Sequence, residues 1–283
     1  MTSSSQLHVL LPKLCELAVQ AGREILDVYR SGDFGTERKA DDSPLTIADK
    51  RAHDILSGGL ARTAPDIPIL SEEGRHAPYG ERKTWEELFL VDPLDGTKEF
   101  INRQDDFTVN IAIVQRHDPV LGVIYAPVTG ELWAGVTAPR IALKATVAPD
   151  ATRHLEDPLN HALPITSKQR PIPPDEPITV MVSRTHLNEA TDAYLSQLRT
   201  TYRNVDQVNV GSSIKLCRVA EGKVDLYPRY APTSEWDIAA GHAVVRAAGG
   251  EVYRIDSDRN IQDEPLRYNK EHLLNPWFLV KAW

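Results

Sequence analysis

The sequence predicts an α+β protein built from layered sheets and helices. Three observations carry that reading. Apolar residues near the start recur at helical spacing, three apolar runs in the middle alternate at strand spacing, and the last third switches between short strands and helices. At 283 residues the chain is long enough for one large core or two smaller ones.

In chain order, Leu7, Leu10, Leu11, Leu14, Leu17, Ala18, Ala21, Ile25 and Val28 form one face of an amphipathic helix reaching about Tyr29. Residues 31 to 45 hold Gly32, Gly35 and Pro44 and read as a loop. Thr46, with Asp49 three positions on, has the pattern of a capping box and opens a second helix to about Leu56. Ile67 to Leu70 is a short strand, followed by Ser71-Glu72-Glu73-Gly74. Leu88 to Val91 is a buried strand, which puts Asp92 at a strand end and lets Gly96-Thr97 open a helix or tight turn.

Phe107 to Val114, Val120 to Ala126 and Leu132 to Val136 form an antiparallel meander. Residues 137 to 177 are rich in proline and lack a period, so the boundary belongs there: an N-terminal half, 1–165, and a C-terminal half, 166–283. Beyond it come a strand at Ile178 to Val182, a helix at Asn188 to Leu198 and a short strand at Val208 to Val210. A helix opened by Gly211-Ser212-Ser213 and a strand at Val224 to Tyr227 follow. Trp236-Asp237 begins a helix of small residues that stops at Gly249, and strands at 251–255 and 278–280 complete the chain.

Composition narrows the function. A net charge of −8 excludes the basic footprint that polymeric nucleic acid requires, but leaves room for a small anion in a local pocket. Cys15 and Cys217 match no metal spacing and read as buried free thiols, which fits a reducing compartment. The polar start, Met1 to Gln6, lacks the features of a signal peptide, and no apolar run approaches the ~18 residues of a membrane span.

The stretch Val91-Asp-Pro-Leu-Asp-Gly-Thr-Lys-Glu-Phe100 organises the chemistry. Asp92 and Asp95 on a rigid turn suit a hard divalent cation such as Mg²⁺. Backbone N–H groups near Gly96 suit phosphate. The competing reading is a plain surface turn, since Asp, Pro and Gly all favour turns.

Taken with the rest of the chain, this stretch resembles the lithium-sensitive, magnesium-dependent phosphatases of the inositol monophosphatase superfamily. Within it the resemblance is to the branch acting on nucleotide 3'(2'),5'-bisphosphates. The resemblance spans nearly the whole chain. It rests on Asp41-Asp-Ser-Pro-Leu-Thr-Ile-Ala-Asp49, Ser71-Glu-Glu73, Asp92 to Phe100, Phe107-Thr-Val-Asn110, Gly211-Ser-Ser-Ile-Lys215, Tyr227-Pro-Arg229 and Trp236-Asp-Ile-Ala-Ala-Gly-His242. The stretch 139 to 177 is longer and richer in proline than the family pattern.

The resemblance implies an α-β-α-β-α sandwich with the active site between two halves. It implies Glu72, Asp92, the backbone carbonyl of Leu94, Asp95 and Asp237 as ligands of two Mg²⁺, with a third arriving with substrate. Asp49 and Thr97 would orient the attacking water. Glu72, Gly96, Thr97 and Asp237 would contact the reacting phosphate, Lys215 and Arg229 the second phosphate, Ser212 the nucleotide and His186 the base. Each has a plainer reading: Asp49 and Ser212 as helix caps, Asp237 as an N-cap, Lys215 and Arg229 as solvated charges. The implied substrate is adenosine 3',5'-bisphosphate, yielding AMP in sulfur metabolism, with phosphoadenylyl sulfate as a further substrate. The rivals are an inositol monophosphatase or sugar bisphosphatase on the same fold, and a non-catalytic anion-binding protein. Family relatives are placed in the cytoplasm, some as peripheral proteins of the inner membrane.

Overall fold

A computed structural model describes residues 1–39, 43–148, 158–168, 170–183 and 188–283. The elements run α1 (Ser4–Ser31), β1 (Glu37–Arg38), β2 (Pro44–Leu45), α2 (Ile47–Thr63), β3 (Ile69–Ser71), α3 (Tyr79–Arg82), β4 (Glu87–Asp95), α4 (Thr97–Ile101), β5 (Thr108–Gln115) and β6 (Asp118–Ala126). They continue as β7 (Glu131–Thr137), β8 (Arg140–Thr146), β9 (Leu163–Pro164), β10 (Pro177–Ser183), α5 (Glu189–Thr201), β11 (Asn204–Val210), α6 (Ile214–Ala220), β12 (Leu226–Arg229), α7 (Glu235–Ala248), β13 (Glu251–Ile255), β14 (Ile261–Pro265) and β15 (Phe278–Lys281).

Period-two alternation in the strands builds the layers. In β5, Val109, Ile111 and Ile113 pack with α1 and α2, while Ala112 and Val114 pack on the opposite face with α6 and α7. Strand β4 does the same, with Phe89 and Val91 on one side and Leu88 and Leu90 on the other. The first sheet has seven strands in the order β3-β4-β5-β6-β7-β8-β9, and the second has six in the order β11-β10-β12-β15-β13-β14. A third apolar cluster joins the second sheet to α5 through Val180, Val182, Leu195 and Leu198. Three apolar clusters, the middle one covering both faces of the α6/α7 layer, join five layers into the α-β-α-β-α sandwich. Cys15 and Cys217 are buried, and neither forms a disulfide among the described residues. No helix among the described residues is long and apolar enough to cross a membrane.

Several elements differ from the sequence reading. The second helix continues past Leu56, through Gly58 and Gly59, to Thr63. Leu17 of α1 lies 2.2 Å from where a Cβ on Gly59 would stand, so the glycine marks a close helix crossing and not a stop. The proline-rich stretch contains β8 and β9, which extend the meander by two strands. Strand β14 and the first residues of β11 were also not anticipated. The strand bearing Asp92 does not end there: β4 runs on to Asp95. Its pairing with β5 passes from Asp92↔Asn110 to Asp95↔Thr108, so two residues, Pro93 and Leu94, oppose one. Pro93 has no N–H to give the ladder, and the resulting bulge re-aims the side chains around it.

Candidate active site

Parallel pairing of β3 with β4 sets Ser71 opposite Val91, and the Glu72 N–H continues the ladder to the Val91 carbonyl at 3.0 Å. Glu72 and Asp92 are therefore neighbours. Asp237 arrives from the second half, in the first turn of α7. Ligand atoms of Glu72, Asp92 and Asp237 all lie within 4.8 Å of one another. Asp95 stands beside this triplet and lines the same cavity. Asp237 is not the N-cap of its helix. Ser234 is, and Asp237, three residues on, reaches back to accept the Ser234 N–H at 2.8 Å. The acid is thus held in place by the helix start it completes.

Burial and then mutual repulsion dominate the electrostatics. Burial pushes the Asp92 carboxyl well above the carboxylate range, and the charges of Glu72, Asp95 and Asp237 push it further. Asp237 is raised for the same reasons, with Asp95 and Glu72 as the repelling charges. Burial lifts Glu73 to about 7 against the opposing pull of Lys39. Lys39, absent from the sequence reading, donates to Glu72 at 2.6 Å and to Glu73 at 2.5 Å. Burial lowers the Lys39 pKa, but those two carboxylates outweigh it and hold the ammonium charged. This donor set fits a hard divalent cation: three carboxylates converge, and their mutual repulsion favours a positive charge between them.

Asp49 performs the capping role and also faces the site. Its Oδ2 accepts from the Thr46 N–H and from Thr46 Oγ1, both at 2.6 Å, which closes the box at the start of α2. Its Oδ1 accepts from Thr97 Oγ1 at 3.3 Å. The same Thr97 hydroxyl lies 3.2 Å from the Leu94 carbonyl. Burial raises the Asp49 pKa, against the Thr46 hydrogen bonds that lower it. Gly96 precedes Thr97 at φ 96°, and a Cβ there would meet the Asp106 carbonyl at 3.0 Å, so the turn requires glycine.

Two cavities adjoin at this point. One is lined by Glu72, Asp92, Leu94 and Thr97, the other by Ser212, Lys215, Tyr227 and Arg229. Asp95, Gly96, Glu99 and Asp237 line both. Lys215 and Arg229 are buried, not solvated as their plainer reading had it. Burial lowers the Lys215 pKa to about 8. Arg229 donates to the Pro232 carbonyl at 3.3 Å, and its buried Nε has no partner among the described residues. Ser212 is not the helix cap; it sits at φ 44°, a strained conformation for a side-chain-bearing residue, next to Gly211, whose N–H is held by Asp106 Oδ2 at 3.0 Å. His186 lies outside the described residues, as do Asp41 and Asp42 of the quoted motif.

The profile of the inositol monophosphatase family matches residues 6–277. The chain belongs to the inositol monophosphatase family. Members of this family are metal-dependent, in keeping with the acidic cluster. Among relatives, the chain is 41% identical over 279 residues to the 3'(2'),5'-bisphosphate nucleotidase CysQ of Salmonella typhimurium, covering 97% of this chain and 100% of that one. Its identity to the protein of the same name from Haemophilus influenzae is 33% over 281 residues, covering 96% and 92%. Among solved structures, CysQ from Bacteroides thetaiotaomicron matches with a TM-score of 0.82 and 44% identity, over 95% of this chain and 96% of that one. Lys39, Glu99, Ser213 and Asn110, unassigned from sequence, line or support the site. Ser213 and Asn110 stood within quoted motifs, but nothing in their spacing pointed to a partner.

Proposed function

We propose that the chain hydrolyses the 3'-phosphate of adenosine 3',5'-bisphosphate, giving AMP and inorganic phosphate, with Mg²⁺ as cofactor. One observation carries the choice of a bisphosphate: the carboxylate-lined cavity adjoins a second one into which Lys215 and Arg229 bring positive charge. A molecule with two phosphates on one sugar fills both. The CysQ relatives support the same reading by their names.

Glu72, Asp92, Asp95, Asp237 and the Leu94 carbonyl would hold the cations. When bound, Mg²⁺ supplies positive charge for the reacting phosphoryl group and makes water easier to deprotonate. The protein's own groups do the rest. Thr97 Oγ1 accepts a hydrogen bond from the attacking water and orients it toward phosphorus, in line with the leaving 3'-oxygen. As the water attacks, its proton passes to Thr97 Oγ1 while the threonine proton moves to Asp49 Oδ1. A carboxylate with a raised pKa is the better acceptor. The P–O bond to the ribose breaks, and the ribose oxygen leaves with the bonding pair and takes a proton from solvent to become the 3'-hydroxyl of AMP. Backbone N–H groups near Gly96 and Thr97 receive the phosphate oxygens. Lys215 and Arg229 hold the 5'-phosphate, Arg229 through its unpartnered Nε, and Ser212 lies against the nucleotide.

Loss of one charge-assisted contact costs about 1.5–3 kcal/mol. Arg229→Ala therefore raises KM for adenosine 3',5'-bisphosphate roughly tenfold or more, and changes KM for a substrate with one phosphate far less. Equal losses on both would remove Arg229 from the second subsite. Lys215 adds a pH signature. Its pKa of about 8 in the free protein means that the charged form fades as pH rises through 8. kcat/KM for the bisphosphate should fall above that pH, and in Lys215→Met the step should vanish. Parallel pH profiles for the wild type and Lys215→Met would contradict the role.

A further inference from the structure

Ser213 is almost fully buried where the two halves meet, and it belongs to no ligand set assigned above. Its hydroxyl has polar neighbours on three other elements. Ser213 Oγ lies 2.7 Å from Asp95 Oδ2 at the end of β4 and 2.8 Å from the Asp237 carbonyl in α7. From β5, Asn110 Nδ2 donates to it at 2.8 Å. With one proton, the hydroxyl can serve only one acceptor at a time, and the carboxylate is the stronger one. Asn110 is itself buried, and its Oδ1 has no hydrogen-bond partner among the described residues. An unsatisfied buried acceptor is costly, so a position that keeps one while directing its N–H at Ser213 calls for a reason.

We infer that Ser213 is a positioning residue for the cation site: Asn110 orients its hydroxyl, and the hydroxyl fixes Asp95 Oδ2 so that the other carboxylate oxygen is presented to the ion. This rests on the cation-site reading under Proposed function. It also ties that site to the start of α6, whose Lys215 lines the second cavity. Supporting hydrogen bonds of this kind are typically worth 10–100-fold in metal affinity.

The test is calorimetric titration of the substrate-free protein with Mg²⁺. Ser213→Ala should weaken binding by about 10–100-fold, while Ser213→Thr, which keeps the hydroxyl, should stay within a few-fold of wild type. Melting curves in chelator report whether each variant is folded. Should the alanine variant fail to fold, Ser213→Cys fills the same space with a much weaker donor and should weaken Mg²⁺ binding at least several-fold. Wild-type affinity in Ser213→Ala, or in Ser213→Cys where that is the folded variant, would overturn the inference. Absence of Mg²⁺ binding by the wild type would instead overturn the cation site on which it rests.

Discussion

Asp92→Asn should abolish turnover and yet raise the melting temperature of the protein in chelator. The two effects have one cause. Asp92 is buried among Glu72, Asp95 and Asp237, and its pKa stands well above the usual range. A carboxyl whose folded pKa is raised binds protons more tightly folded than unfolded. Its contribution to stability is therefore full below the unfolded pKa near 4 and is lost as pH rises through the folded value. At neutral pH without divalent cations the wild type bears that penalty. Asparagine cannot ionise and is free of it, and its carbonyl oxygen can still accept the Leu94 N–H that Asp92 Oδ1 accepts at 3.0 Å. The same substitution removes a hard, charged oxygen from the cluster, and kcat should fall by roughly 10²–10³ or more. Differential scanning fluorimetry across pH 4–8 in chelator, together with a turnover assay, checks both signs. A variant that is less stable than wild type in chelator would show that the acids are not under repulsion.

Thr97→Val should lower kcat by about 10²–10⁴ with little change in melting temperature or cation affinity. Valine keeps the shape and removes only the hydroxyl that faces Asp49 Oδ1 at 3.3 Å. Asp49→Asn should cost as much in kcat, but the structure adds a second consequence. Asp49 Oδ2 completes the capping box of α2, so that variant should also lose about 0.5–2 kcal/mol of stability. Thr97→Val is therefore the cleaner probe. If the pair moves one proton together, Thr97→Val/Asp49→Asn should be hardly slower than either single variant. Stopped-flow or steady-state kcat values whose losses add in the double variant would separate the two residues and end the relay.

What the sequence shows and hides follows from where each element lies. Helix α1 is legible because one face is apolar at the helical period, and the meander β5 to β7 because its strands are apolar runs buried on both faces. The elements that escaped are mostly at sheet edges. β11 and β14 terminate the six-stranded sheet, and β8 and β9 close the far side of the seven-stranded one. Edge strands are half-solvated and carry polar residues such as Asn204, Asp206, Gln262 and Glu264, so no apolar alternation announces them. The second helix runs past the expected end near Leu56 because Gly59 serves a close crossing with α1 inside the helix.

The candidate site divides along similar lines. Glu72, Asp92, Asp95 and Asp237 stand in short motifs, and three of these four meet within 4.8 Å. Asp95 adjoins them through a bulge that places it on β4 and not on a free turn. Lys39 and Ser213 were illegible for a different reason. An ammonium or a hydroxyl acquires a role only from its tertiary neighbours, and Asp95 lies 118 residues from Ser213. The two oxygens of Asp49 make the same point. Sequence offered a cap or a proton acceptor as alternatives, and the fold turns one oxygen to the cap and the other to the Thr97 hydroxyl.

The most direct measurement of the central claim is phosphate release from adenosine 3',5'-bisphosphate, inositol monophosphate and fructose bisphosphate, each with and without Mg²⁺. Mg²⁺-dependent release is expected, with kcat/KM highest for adenosine 3',5'-bisphosphate and roughly tenfold or more above inositol monophosphate, which lacks the second phosphate. Equal or faster hydrolysis of inositol monophosphate would contradict it.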